Sequence, residues 1–276
     1  MEWFTEPFEL AFQQRAMLGG ALAAVSGSVI GTWVVIRGMS FLGDALIHGV
    51  IPGIALAILL EFNVFIGAAI AAAVMIGGIN LVHRQTVFSD DTGIGLLFVG
   101  MLGLGVIFIS RTASYQGGIA AILFGDTLGV KSSDIQVLAL VAFLVILTSL
   151  LLYRPFLVLS FNETKAGLLG LRPSITNASL LALVTLTIVG SYQTVGTMLA
   201  FGLMVGPPAT AALLVRRVPA MMVTSVIIGI ASVASGLIIS YHADTSGSAT
   251  MAVVPVVLFF IVMAITSLRQ RALQTA

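Results

Sequence analysis

The sequence predicts an all-α polytopic membrane protein, and three observations predict it. Of the 276 residues, 59% are hydrophobic and only 8% are charged, against about 25% charged in soluble domains. The apolar residues gather in runs about 20 residues long, the length that crosses a ~30 Å hydrocarbon core as a helix. The breaks between runs are short and polar, so eight or nine spans consume almost the whole chain as one domain, residues 1–276. No room is left for a soluble catalytic domain. A net charge of +1 gives no electrostatic ground for a nucleic-acid partner, and zero cysteines exclude disulfides, thiolate metal sites and thiol catalysis.

The elements follow in order. Residues 1–16 open on "MEWFTEPFELAFQQR", whose three Glu rule out the basic start of a signal peptide. With Trp3, Phe4, Phe8 and Phe12 it is expected to lie in the membrane interface, against lipid headgroups. Nine apolar segments come next: 17–36, 39–60, 64–82, 93–110, 135–153, 175–191, 195–214, 220–240 and 249–268. "SYQTVG" (191–196) reads as a tight turn or a break within one long hairpin. Between 112 and 134 the apolar piece "GGIAAILFG" is too short to span and is expected to be re-entrant or interfacial. Three GxxxG spacings, Gly27/Gly31, Gly49/Gly53 and Gly202/Gly206, allow helices to approach closely.

Loop charges set the expected orientation. Alternate loops place Arg37, Arg84, Arg154, Lys165, Arg172, Arg216, Arg217, Arg269 and Arg271 on one side, and Arg15, Arg111 and Lys131 on the other. The richer side is cytoplasmic by the positive-inside rule, which puts the N-terminus outside and the C-terminus in the cytoplasm. An odd number of spans preserves this segregation, and an even number scrambles it.

One span breaks the apolar rule. Within "RGMSFLGDALIHGVIPGIALA" (37–57), Asp44 and His48 stand four residues apart, so both point the same way one helical turn apart. An aspartate inside the membrane costs on the order of 2.5–3.5 kcal/mol on insertion scales and must face protein or water. Every other carboxylate falls in a loop or at a span end. Three readings follow: an Asp–His hydrogen bond that only holds helices together, a proton relay, or a path for a divalent metal. Carboxylate oxygen with imidazole nitrogen suits manganese, zinc or iron and disfavours copper(I). Two side chains do not fill a coordination shell, so water, backbone carbonyls or a second copy of the chain must supply the rest. Gly49, Pro52 and Gly53 are placed to loosen the helix just beyond the pair.

The wider context resembles a known family. "RGMSFLGDALIHGVIPGIALA" is similar to the second-span motif of the permease subunits of zinc/manganese/iron ABC importers, and three further segments agree in order. They are "ILFGDTLGVKSSD" (122–134), "YRPFLVLSFNETKAGLLGLRP" (153–173) and "VGTMLAFGLMVGPPATAALLVRR" (195–217). The resemblance runs from "FQQRAMLGG" (12–20) to the last span. It implies an ABC importer permease-like helical bundle in a bacterial plasma membrane, formed by two copies of the chain. A cytoplasmic ATP-binding subunit dimer would drive it and an extracytoplasmic metal-binding protein would deliver the ion. By the same resemblance Asp44 and His48 line the metal path, and the transported ion, manganese or zinc and by family also iron, is cargo. No permanently bound cofactor is implied.

Residues 161–172, on the expected cytoplasmic side, form an amphipathic stretch, and the resemblance makes it the coupling helix that docks on the ATPase. Phe161, Glu163, Lys165, Ala166 and Gly170 are its candidate residues, with Ala166 and Leu169 on its apolar face. Gln193 is a candidate path residue, and His242 with Asp244 a candidate metal entry in an outer loop. Asp126 is expected outside, as a cap or gate residue. The methionines read as packing, since no thioether cluster appears.

The chain lacks any G-x-x-x-x-G-K-[ST], so ATP hydrolysis would belong to a separate subunit and the chain is expected not to be an enzyme. The alternatives are a proton-coupled secondary metal transporter and an intramembrane aspartyl protease. The latter is suggested by Gly43-Asp44 and Gly125-Asp126, but Phe41 stands where a G-x-G-D motif needs glycine.

Overall fold

In this computed structural model residues 6–85, 90–109, 125 and 129–274 are described. Every regular element among them is helical. A 3-10 turn (Glu6–Glu9) leads into α1 (Ala11–Ile36), α2 (Ser40–Gly49), α3 (Ile51–Leu59), α4 (Val64–Gln85) and α5 (Asp90–Ile109). After the 110–131 region come α6 (Ser132–Leu151), α7 (Tyr153–Phe161), α8 (Glu163–Leu168), α9 (Pro173–Leu214), α10 (Val218–Ala243) and α11 (Gly247–Gln274). Seven segments are long and apolar enough to cross a membrane, with α2 and α3 counted together and α9 counted twice, and Val64–Ile79 and Ile94–Phe108 add two shorter apolar helices. These nine coincide with the nine apolar runs. The first helix starts earlier than its run: Ala16 is buried inside α1, and Phe8 packs beneath it, so the chain is already in the bundle before residue 17.

Local chemistry explains the ends. Gly38, at φ +67°, turns the chain from α1 into α2. Asn63 accepts the Phe65 N–H at 2.9 Å and starts α4. Asp134 accepts the Lys131 N–H at 2.9 Å at the start of α6. The break at Val50, between α2 and α3, follows from Pro52, which has no N–H to donate to the His48 carbonyl one turn back.

At 42 residues, α9 would be about 63 Å long if straight, twice the membrane core. It bends back instead. Its first half starts beside the end of α1, where Arg37 Nη1 donates to Asn177 Oδ1 at 2.8 Å. Thr194 lies against Gly19, near the start of α1, and Met204 lies against Gly31, near its end again. The reversal is at Gly196, whose φ of 77° and ψ of 163° favour glycine. "SYQTVG" is therefore the turn of a helical hairpin.

All three GxxxG spacings sit at helix crossings. Gly27 and Gly31 meet the Leu203–Met204 backbone, Gly53 meets Gly67 of α4, and Gly202 and Gly206 meet Ala252 and Pro255 of α11. The first crossing has a further cause. Pro207 and Pro208 deprive the Leu203 and Met204 carbonyls of their helical donors, and those carbonyls pack against Gly27 and Gly31 of α1. The interior gathers around Trp33, Leu46, Ile47, Ile54, Met75 and Met204, while α11 shows Val253, Val256, Phe260 and Ile261 to the outside. Such a surface suits lipid and not water.

Candidate functional site

Asp44 and His48 lie in α2, on the half of the α2–α3 span nearer the end of α1. Nε2 of His48 is 3.5 Å from Oδ1 of Asp44, a contact looser than an ordinary charge-assisted hydrogen bond. The Asp44 side chain is 31% exposed and the His48 side chain 14%. Phe41, one turn before Asp44 on the same face, is 43% exposed, so the face carrying the pair opens on the surface of a single chain. The histidine is held by packing. Its ring meets Phe98 of α5 edge-on, with centroids 5.5 Å apart, and Phe98 meets Phe41 at 5.9 Å. Its Nδ1 is buried and has no hydrogen-bond partner among the described residues.

The opposite side of α2 is sealed by methionines. A Cβ placed on Gly43 would stand 2.5 Å from Cε of Met204, and one on Gly49 would stand 3.1 Å from Cγ of Met75. Both methionines are fully buried. They pack, as expected of the methionines, but at particular places: against the two glycines that directly flank Asp44 and His48. Among the described residues no cluster of three or more His, Asp or Glu could hold a metal within one chain. The pair supplies one oxygen and one nitrogen, both suited to a divalent first-row metal.

The remaining candidates lie apart. His242 and Asp244 end α10, which runs antiparallel to α1, with Val233 against Gly20 and Gly229 against Ala24. They therefore stand at the end of the bundle where α1 begins, away from the start of α2. His242 is exposed and stacks edge-on with Tyr241, and Asp244 adopts a left-handed conformation at φ 49°. Gln193 lies in the α9 turn, but its side chain falls outside the described ones, as does that of Glu163; Asp126 lies outside the described residues altogether. Its neighbour Gly125 abuts Gly196, whereas Gly43 abuts Met204, eight residues and about 12 Å further along α9. Gly125 and Gly43 thus sit at different depths along α9.

The segment 161–172 contains a six-residue helix with a cap at each end. Oδ1 of Asn162 accepts the Lys165 N–H at 2.8 Å. At the other end Gly170, at φ +70°, donates to the Gly167 carbonyl while Leu171 donates to Ala166, both at 3.0 Å, a Schellman closure. Ala166 is 1% exposed and faces the chain's own interior, whereas Phe161 is 72% exposed and Leu168 83%. A six-residue helix offers too few turns for periodicity to reveal which face is inward.

Known proteins are similar to this chain along most of its length. The family model described as the ABC 3 transport family matches residues 9–266. The manganese transport system membrane protein MntC of Listeria monocytogenes is 37% identical over 256 residues, 92% of this chain and 90% of that protein. The chelated iron transport system membrane protein YfeD of Yersinia pestis is 30% identical, covering 94% of this chain and 86% of its own. The solved structure of PsaBC from Streptococcus pneumoniae in complex with Fab superposes with a TM-score of 0.84 at 28% identity, covering 95% of this chain and 94% of the matched one. These matches run the length of the bundle, and the chain belongs to the ABC 3 transport family as a multi-pass membrane protein.

Proposed function

We propose that this chain is the permease subunit of an ATP-driven importer of divalent transition metal ions, with Asp44 and His48 lining the path where two copies meet. One observation carries the reading: a carboxylate inside an apolar span opens on the surface of the single chain. Lipid cannot solvate it. A second copy related by a two-fold axis covers it, and doubles two donors into four.

The names of the relatives put manganese first and iron beside it; zinc is the third candidate, and the oxygen–nitrogen donor set accommodates all three. The ion is cargo, passed from an extracytoplasmic metal-binding protein. The energy comes from a cytoplasmic ATP-binding dimer, and the relatives, named as membrane proteins of transport systems, support a permease that is itself not an enzyme. Phe161, Leu168 and Leu169 are the exposed apolar side chains that a groove on that partner would cover; Glu163 and Lys165 are charged positions of the same segment, while Ala166 and Gly170 hold its shape. The arginine-rich ends face the cytoplasm, so the N-terminus is outside and the C-terminus inside. Gln193, His242 and Asp244 remain candidates for the outer approach.

The test is uptake into proteoliposomes holding the permease, its ATPase and its binding protein. Manganese, iron and zinc are offered separately and in competition. Uptake that requires hydrolysable ATP and ignores a protonophore supports the importer. Uptake that persists without ATP and collapses with the proton gradient would instead make the chain a secondary carrier.

A further inference from the structure

We propose that Met204 and Met75 are positioning residues for the Asp44–His48 pair, fixing the rotation of α2 so that both side chains present to the metal path; this rests on the pair being that path.

The geometry of α2 supports it. At 100° per residue, Asp44 and His48 are 40° apart, and Gly43 and Gly49 lie 100° to either side of them. Met204 of α9 presses on the first glycine and Met75 of α4 on the second, so two helices grip the back of α2 while its front stays open. The grip on the α9 side is anchored. The Met204 carbonyl, left without a helical donor by Pro208, fills the space where Gly31 would carry a Cβ, so α9 meets α1 backbone to backbone at the very residue that reaches α2.

Packing orients the ring where the described residues offer Nδ1 no hydrogen-bond partner. A metal-ligating histidine usually donates its second ring nitrogen to a carboxylate or carbonyl that fixes its orientation. Nδ1 of His48 has no such partner among the described residues. What touches the imidazole is the edge of Phe98, and what touches its backbone neighbour is Met75. The tolerance is small. With side-chain tips ~5–6 Å from the helix axis, turning α2 by ~20° moves the carboxylate by ~2 Å, whereas ligand distances must hold to about ±0.2 Å.

The experiment uses the full transporter, with its ATPase and binding protein, and compares Gly43→Ala, Met204→Ala and Met75→Ala. Manganese and zinc uptake are expressed per assembled complex, so that changes in folding yield cancel. Gly43→Ala sets a methyl 2.5 Å from Cε of Met204, the free end of a fully buried side chain, and is expected to lower manganese uptake at least threefold and shift the manganese-to-zinc ratio. Met204→Ala and Met75→Ala each withdraw a side chain that holds the back of α2, and each is expected to lower manganese uptake at least threefold and alter the metal ratio. Wild-type uptake and metal ratio in Gly43→Ala, or in either methionine variant, overturns the proposal. Should Gly43→Ala not assemble, Met204→Leu takes its place, keeping the volume but withdrawing the thioether tip. A threefold or larger fall with an altered metal ratio supports the role, and an unchanged rate and ratio overturns it. Asp44→Ala and His48→Ala run in parallel. If they transport normally, the path reading itself fails; if they abolish uptake while Gly43→Ala is silent, only the positioning role fails.

Discussion

Replacing Gly53 by alanine isolates what the helix crossings contribute. A Cβ at Gly53 would overlap the carbonyl oxygen of Gly67 and stand 2.7 Å from the Ala71 Cβ. In the reverse direction a Cβ at Gly67 would overlap the Gly53 carbonyl and stand 2.7 Å from the Ala57 Cβ. Carbon atoms pack at about 3.5–4.0 Å, so α3 and α4 must part by about 1 Å. Overpacking of this kind costs about 1–3 kcal/mol, and the upper end applies because the obstacle is backbone. The better helix propensity of alanine returns at most about 1 kcal/mol, leaving a net loss of about 2 kcal/mol. Gly77, on the same α4, has no heavy atom within 4 Å of its would-be Cβ. Gly77→Ala is therefore expected to be neutral or stabilising by up to ~1 kcal/mol. Thermal unfolding of the purified permease in detergent reads the difference. At roughly 2–4 °C per kcal/mol, Gly53→Ala lowers the midpoint by about 4–8 °C while Gly77→Ala does not lower it. Equal midpoints for the two variants would refute the account of α3–α4 packing by backbone contact.

Two further outcomes are expected. Arg37 ties the end of α1 to the start of α9 through Asn177, and hydrogen bonds to charged groups contribute about 1.5–3 kcal/mol. A thermal double-mutant cycle with Arg37→Ala and Asn177→Ala should return a coupling of that order, and strictly additive losses would remove the tie. Leu168→Asp should abolish co-purification of the ATPase while leaving the permease's own midpoint within about 2 °C, whereas Ala166→Leu, at a buried position, should lower the midpoint; the reverse pattern would reassign the docking face.

The sequence made the bundle legible because membrane helices need long apolar runs, and those runs mark their own ends. The α9 turn was legible because a polar cluster with glycine interrupts an apolar stretch too long for one crossing. The break at Val50 could be anticipated from Pro52, since the missing N–H is a property of the residue itself. Partners across space were not legible. A GxxxG spacing says that some helix comes close, yet nothing local to Gly43 names Met204, 161 positions away, or ties His48 to Phe98. Ala166 shows the same limit in a short helix: its inward direction is set by how α7 and α9 hold the segment at either end. Asp44 and His48 stood out for a simpler reason, since a charged pair inside an apolar run has few reasons to exist.

The most direct test of the central claim is radiolabelled manganese uptake per assembled transporter, comparing wild type with Asp44→Ala and His48→Ala. Loss of at least nine-tenths of ATP-dependent uptake in either variant, with ATPase co-purification retained, is the predicted result. Wild-type uptake in both variants would contradict it, leave the pair as a structural contact, and move the path elsewhere in the bundle.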